Sequence, residues 1–189
     1  MQGGDINGDG FDDFLGRTIY DGNASYGCFW QGSSIITTQW DVQLYPVYFG
    51  TDWPHYDLIH GDLNNDGFDD LIGSDYEAWG DSGRLAIWLG KQNFKGTADL
   101  FLTPPDEIPY YSHFGYALAC GDFNNDGFDD LAVGAPQSPP GLSDVPGALV
   151  IYSGNAQLAD TSVATEDELA PQLNDALKFS SYPNPLPVG

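Results

Sequence analysis

The chain has 189 residues, with 24 Gly, 13 Pro and a formal charge of −23. The charge excludes nucleic acid, whose phosphates would be repelled, and argues against anionic membrane surfaces. No apolar run reaches the roughly 18 residues of a membrane-crossing helix. The length suffices for one domain with a real core. Abundant Gly, Pro and aromatic residues with few long helical patterns point to an all-β fold.

In chain order, a nine-residue stretch comes first and then recurs. Residues 5–13, 62–70 and 122–130 all fit D-x-N-x-D-G-F-D-D, and the copies start 57 and 60 residues apart. Such a repeat organises the chain into stacked units. In unit A the loop opens the unit with no strand before it, followed by strands near 14–19, 26–31 and 35–44 with a turn at 21–23. Unit B has a strand near 56–60, its loop, then strands near 71–73, 84–89 and 100–102. Unit C follows the same plan: 116–120, loop, 131–135, 148–153. The expected division is unit A 1–45, unit B 46–104 and unit C 105–156, then an acidic linker and Pro-rich tail over 157–189 that has a short helix near 165–169.

Positions 1, 3 and 5 of each loop carry oxygen side chains, the donor set of a hard cation that takes six to eight oxygens, such as Ca²⁺. The expected ligands are Asp5, Asn7, Asp9, the Phe11 carbonyl and Asp13; Asp62, Asn64, Asp66, the Phe68 carbonyl and Asp70; and Asp122, Asn124, Asp126, the Phe128 carbonyl and Asp130. Gly10, Gly67 and Gly127 allow the sharp turn. Three bound Ca²⁺ would bring the charge from −23 to −17. Mg²⁺ suits the set less well, because it demands strict octahedral geometry. A metal-free turn is the plain alternative, since Asp, Asn and Gly dominate turns. An EF-hand would need Glu at position 12, where Gly16, Gly73 and Val133 stand. Each loop also runs into a strand-like stretch instead of a helix.

Beyond the loops, Trp30, Trp88 and Tyr152 fall at one repeated position, as core filler between sheets. Cys28 and Cys120 sit at non-equivalent positions, so free buried thiols are expected instead of a disulfide. Sheets of about four strands repeating every 60 residues are the parts of a β-propeller.

The stretch His113-Phe114-Gly115-Tyr116 through Cys120-Gly121, its loop, and Asp130-Leu131-Ala132-Val133-Gly134-Ala135-Pro136 resembles an FG-GAP repeat, the blade unit of integrin α-chain propellers and of many secreted bacterial proteins. The resemblance covers about residues 4–154. It implies β-propeller blades (about three four-stranded antiparallel sheets), with the calcium loop between first and second strands. Unit B departs from the motif at Pro54-His55 and is one residue short before Gly73, and unit A reads Asp13-Phe14-Leu15-Gly16. These differences could shift which side chains face the core. Three blades do not close a ring, for which four are the minimum. The chain is therefore expected to be part of a propeller, a homo-oligomer that completes one, or an open array stabilised by calcium.

The expected function is a calcium-binding module of a secreted or cell-surface protein, making adhesion or protein–protein contacts. A glycan-binding module, or the non-catalytic part of a polysaccharide-active enzyme, is the alternative. Tyr45, Trp53, Tyr56, Trp79, Tyr110 and Tyr111 are the candidate ligand platform, although such aromatics also cap blade packing. His55, His60 and His113 have no repeated companions that form a triad, so no enzymatic activity is expected.

Overall fold

The computed structural model describes residues 2–20, 24–35, 37–44, 57–106, 108, 110–136 and 147–159. They form three antiparallel sheets. The first contains β1 (Gln2–Gly4), β2 (Asp13–Tyr20), β3 (Ala24–Trp30) and β4 (Val42–Leu44) in sequential order. The second contains β5 (Leu58–Gly61), β6 (Asp70–Asp75), β7 (Arg84–Trp88) and β8 (Leu100–Leu102), with a one-turn helix α1 (Ala78–Asp81) between β6 and β7. The third contains β9 (Ala117–Gly121), β10 (Asp130–Ala135) and β11 (Ala148–Tyr152) among the described residues. Meanders of this kind are propeller blades, and we call them blades A, B and C. The turn at 21–23, the helix near 165–169 and the tail lie outside the described residues.

Two expectations are corrected. Blade A does have a strand before its loop: Gln2, Gly3 and Gly4 pair with Leu15, Phe14 and Asp13. Its outer strand is shorter than 35–44, because Ser33 and Thr37 hydroxyls turn inward onto the Ile35 and Gln39 carbonyls. Such side-chain bonds compete with a ladder, and strand pairing begins only at Val42.

The three blades share one register. Phe14 pairs with Trp30, Leu71 with Trp88 and Leu131 with Tyr152. The missing residue in unit B does not slip its strand, because Asp70 lies opposite Gly61 as Asp130 lies opposite Gly121.

Alternation along the strands then decides what each face buries. In blade B, Leu71, Ala86 and Trp88 join Ile6, Leu15, Phe29 and Leu44 in a core shared with blade A. The opposite face of blade B presents Ile72, Leu85, Ile87 and Leu89 to a core shared with Leu131, Val133, Val150 and Tyr152 of blade C. Blade B therefore buries both faces, and blades A and C bury one each. Phe114 is fully buried in the B–C core, edge-on to Tyr152, and bridges in parallel to Gly83. Gly83 has φ +90°, and a Cβ there would run into the Phe114 backbone. Cys28 and Cys120 are not joined in a disulfide, and burial pushes the Cys120 thiol up to about 12.

The second residue of each loop enters these cores from the preceding blade. Ile6 and Leu63 are fully buried, whereas Phe123, at the same position in blade C, is 53% exposed. Leu63→Ala should therefore destabilise the chain by about 2–4 kcal/mol through the lost contacts and the cavity. Phe123→Ala in dilute solution should stay within about 0.5 kcal/mol of the parent. Urea unfolding of both variants checks the contrast.

Candidate metal centre

Each loop folds around its own acidic side chains. The first aspartate spans two successive amides: Asp9 N–H donates to Asp5 Oδ1 at 3.0 Å and Gly10 N–H to Asp5 Oδ2 at 2.9 Å. The same pair recurs from Asp66 and Gly67 onto Asp62, and from Asp126 and Gly127 onto Asp122, at 2.9–3.1 Å. The fifth residue in turn accepts from the seventh: Phe11, Phe68 and Phe128 N–H each donate to Asp9, Asp66 and Asp126 at 3.0 Å. Two left-handed residues make this winding possible. Gly10, Gly67 and Gly127 have φ of +87°, +87° and +94°. The fourth position, Gly8, Asn65 and Asn125, is left-handed as well, with φ of +72°, +53° and +60°. Gly and Asn are the residues that tolerate it.

The donor chemistry suits a hard cation. Asp9 N–H is shared by Asp5 Oδ1 and Asn7 Oδ1, and Asp66 N–H by Asp62 Oδ1 and Asn64 Oδ1, so positions 1 and 3 converge on one point. The oxygens retain outward lone pairs, since each carboxylate oxygen carries about two acceptor sites. Among the described residues, no group of three or more His, Cys, Asp or Glu is drawn together closely enough to chelate an ion. Asp9 is exposed, and a hydrogen bond from the Gln31 side chain lowers its pKa. Burial raises that of Asp62.

The ninth residue behaves differently. Asp13, Asp70 and Asp130 are buried to 1% exposure or less. Each ties its loop to the far end of its own blade. Asp70 Oδ2 accepts from Leu63 N–H at 3.0 Å and Oδ1 from Gly90 N–H at 2.9 Å. Asp13 does the same with Ile6 and Gly32, and Asp130 with Phe123 and Gly154. Burial outweighs these donors at Asp70, whose carboxyl is pushed up to about 8.

The eighth residue, absent from the expected ligand set, links neighbouring blades. Asp69 Oδ2 accepts from Asp5 N–H at 3.0 Å while Asp69 N–H donates to the Asp5 carbonyl at 3.1 Å. Asp129 and Asp62 repeat the pair, both bonds at 3.1 Å. His60 Nδ1 also meets Asp69 Oδ2 at 3.2 Å, which raises the His60 pKa and lowers that of Asp69. Gly4 and Gly61 leave room for these carboxylates: a Cβ on Gly4 would strike Asp69 Oδ2 and His60, and one on Gly61 would strike Cys120 Sγ and Asp129 Oδ2. Glycine just before each loop was the available signal.

Of the aromatic candidates, Tyr45, Trp53 and Tyr56 lie outside the described residues, and Trp79 falls within α1. Tyr110 and Tyr111 are exposed and meet edge-on at 5.8 Å. Tyr110 also lines a cavity of about 250 Å³ with Ser82, Thr103, Pro104, Pro105 and Asp106.

The Asp129–Asp62 link between blades is testable apart from any metal. Asp129→Ala should cost about 1–2 kcal/mol by leaving the Asp62 amide without its acceptor, and hydrogen exchange at that amide should accelerate. Asp12→Ala, at the same loop position but with an exposed side chain, should leave urea stability within about 0.5 kcal/mol.

Comparison with known proteins finds the repeat unit. Residues 114–152 match the FG-GAP repeat. Integrin alpha-5 of Xenopus laevis is 37% identical over 116 residues, covering 57% of this chain and 10% of that protein. Integrin alpha-7 of Homo sapiens is 39% identical over 110 residues, 53% of this chain and 8% of that one. Phosphatidylinositol-glycan-specific phospholipase D of Mus musculus is 36% identical over 107 residues, 53% and 13% respectively. The chain thus spans about a tenth of the length of the curated relatives it matches. Residues 114–152, which form blade C of an all-β stack, are thus similar to an FG-GAP repeat.

Proposed function

We propose that this chain is a calcium-stabilised segment of a β-propeller that makes protein–protein contacts at or outside the cell surface. The observation that carries the reading is the threefold recurrence of one oxygen-lined turn, with the same amide contacts in all three copies. Asp5, Asn7, Asp9 and the Phe11 carbonyl would hold one ion, closed by Asp13. Their counterparts at 62–70 and 122–130 would hold two more. Calcium supplies positive charge where each loop gathers four carboxylates. The protein's own part is to wind the turn with two left-handed residues and to tether it through the ninth and eighth aspartates. The ion has a structural role in this reading, and the segment does no chemistry of its own. Two relatives are named integrins and another is named a phospholipase, so the shared part is the blade and not one activity.

Weak sites of extracellular type, with dissociation constants of about 10⁻⁴–10⁻³ M, fill only where calcium is abundant, which supports a secreted or surface location. No helix among the described residues is long and apolar enough to cross a membrane. Adhesion is the form of protein contact favoured here. A second reading, glycan binding, has its own support in the exposed Tyr110–Tyr111 pair beside the Pro104–Asp106 cavity, since flat rings with acids nearby suit sugars.

Calcium should raise the melting temperature by about 5–10 °C at saturating concentration, and chelator should reverse it. Asp126→Ala should lose much of that rise, because Asp126 is exposed and, among the described residues, its side chain accepts only the Phe128 amide. Asp130→Ala is the poorer probe, since it also removes the tether to Gly154. No response of the parent chain to chelation would sink the calcium reading.

A further inference from the structure

The cavity of about 250 Å³ lies away from the acidic loops, between two corners of the chain. One wall is the α1–β7 corner at Ser82, and the other is the β8–β9 connection from Thr103 to Tyr110. Backbone bonds hold both walls. Ser82 stands between Asp81 and Gly83, which are left-handed at φ +66° and +90°. Its N–H donates to the Ala78 carbonyl at 3.1 Å, and its carbonyl accepts from Phe114 N–H at 3.2 Å. Across the cavity, Ile108 N–H donates to the Pro105 carbonyl at 2.9 Å. The Ser82 side chain is treated differently from its backbone. Ser82 is 5% exposed, and its hydroxyl has no hydrogen-bond partner among the described residues. A buried hydroxyl without a partner is costly and uncommon. At a cavity wall it is a place for a ligand to bond.

The rest of the lining narrows the chemistry of that ligand. Pro104, Pro105 and Ile108 supply apolar surface, and Tyr110, 67% exposed, supplies a flat ring. Thr103 and Asp106 add oxygens and are exposed. No basic side chain is among the described residues of the lining, and the chain carries a charge of −23, so an anion would be repelled. A cation is poorly matched as well. The deep polar group is a neutral hydroxyl, whereas the Asp106 carboxylate lies where water screens it. A neutral ligand with hydroxyls along its edge and apolar C–H on its face satisfies both kinds of wall. The volume falls just below the roughly 300–1,000 Å³ of pockets that hold drug-sized molecules. One ring fills it.

We infer that this cavity is a subsite for one neutral pyranose ring of a glycan. Ser82 and Asp106 bond to the sugar hydroxyls, and Tyr110 packs on the apolar face of the ring. The fixed Ser82 backbone presents the hydroxyl without reorganisation, which spares the ordering cost of binding. A single ring in so open a site binds weakly, with a dissociation constant of about 1–10 mM. The inference rests on the glycan reading above and gives it a place and a class of sugar. It does not depend on the ion in any loop.

The test is an amide NMR titration of the whole chain, in calcium, with the methyl glycosides of glucose, galactose, mannose and N-acetylglucosamine. Nα-acetyl-lysine methylamide serves as the cationic control. At least one glycoside should shift the amides of Ser82, Thr103 and Ile108 with one shared dissociation constant in the millimolar range. Ser82→Ala should weaken that binding about tenfold while the melting temperature stays level or rises, because the variant removes a hydroxyl that bonds nothing in the free chain. A merely structural serine would lower the melting temperature instead. Asp106→Ala and Tyr110→Ala, both on exposed side chains, should each weaken binding about tenfold and leave the fold intact. Glycosides that shift no amide up to about 100 mM, well above the expected constant, would overturn this site and the glycan reading together. A glycoside that shifts only amides away from the cavity would overturn this site and leave that reading. Tighter binding of the lysine control at these amides, or variants that bind as the parent does, would also overturn the proposal.

Discussion

The buried carboxylate at the ninth loop position holds each blade together. A blade is a meander whose first turn and last inner strand are far apart in sequence, and something must fix one against the other. Asp13, Asp70 and Asp130 do so by accepting an amide from the loop on one oxygen and an amide from Gly32, Gly90 or Gly154 on the other. Buried amides left without acceptors are costly, so one side chain answers for two such groups at once. The arrangement works only because the three glycines bring their backbone close; a Cβ on Gly90 or Gly154 would strike the loop's own backbone.

Packing between blades depends on that fixed turn. With the loop held, its second residue points out of its own sheet and into the next, and its first residue presents N–H and C=O to the next loop's eighth residue. Hydrophobic and polar contacts are thereby set in register by one element. Blade B shows the result most fully, with Leu71 and Trp88 buried toward blade A and Ile72, Leu85 and Ile87 buried toward blade C. A stack of this kind is close to one-dimensional, its stability a sum of unit and nearest-neighbour contributions.

Much of this was legible before any coordinates. The repeat, the shared position of Trp30, Trp88 and Tyr152, the antiparallel order and the unbridged cysteines all follow from spacing and residue type. The sharp turn of the loop was legible too, from Gly10, Gly67 and Gly127; the second left-handed position, at Gly8, Asn65 and Asn125, was not. What could not be read was long-range and made by backbone. The amides that meet Asp69 and Asp129 lie 64 and 67 residues upstream, and any residue type but proline supplies an amide. The first strand of blade A was hidden for a related reason. Gln2-Gly3-Gly4 has poor strand propensity, and Gly4 is there for the approach of Asp69 and His60, not for pairing. Tertiary contact overrode local preference.

The eighth and first loop positions also tie the candidate ion sites to the stack. Asp62 offers its side chain to its own loop and its backbone N–H and C=O to Asp129 of the next blade. Anything that fixes the Asp62 side chain therefore also fixes the backbone groups on which blade C hangs. The coupling runs in one direction along the chain, from each loop to the blade that follows. It gives the outer loop of blade C a different status from the other two. Asn124 is exposed where Asn7 and Asn64 are buried, and Phe123 is exposed where Ile6 and Leu63 are buried. An ion in that loop would order a surface, whereas an ion in either of the others would order a junction.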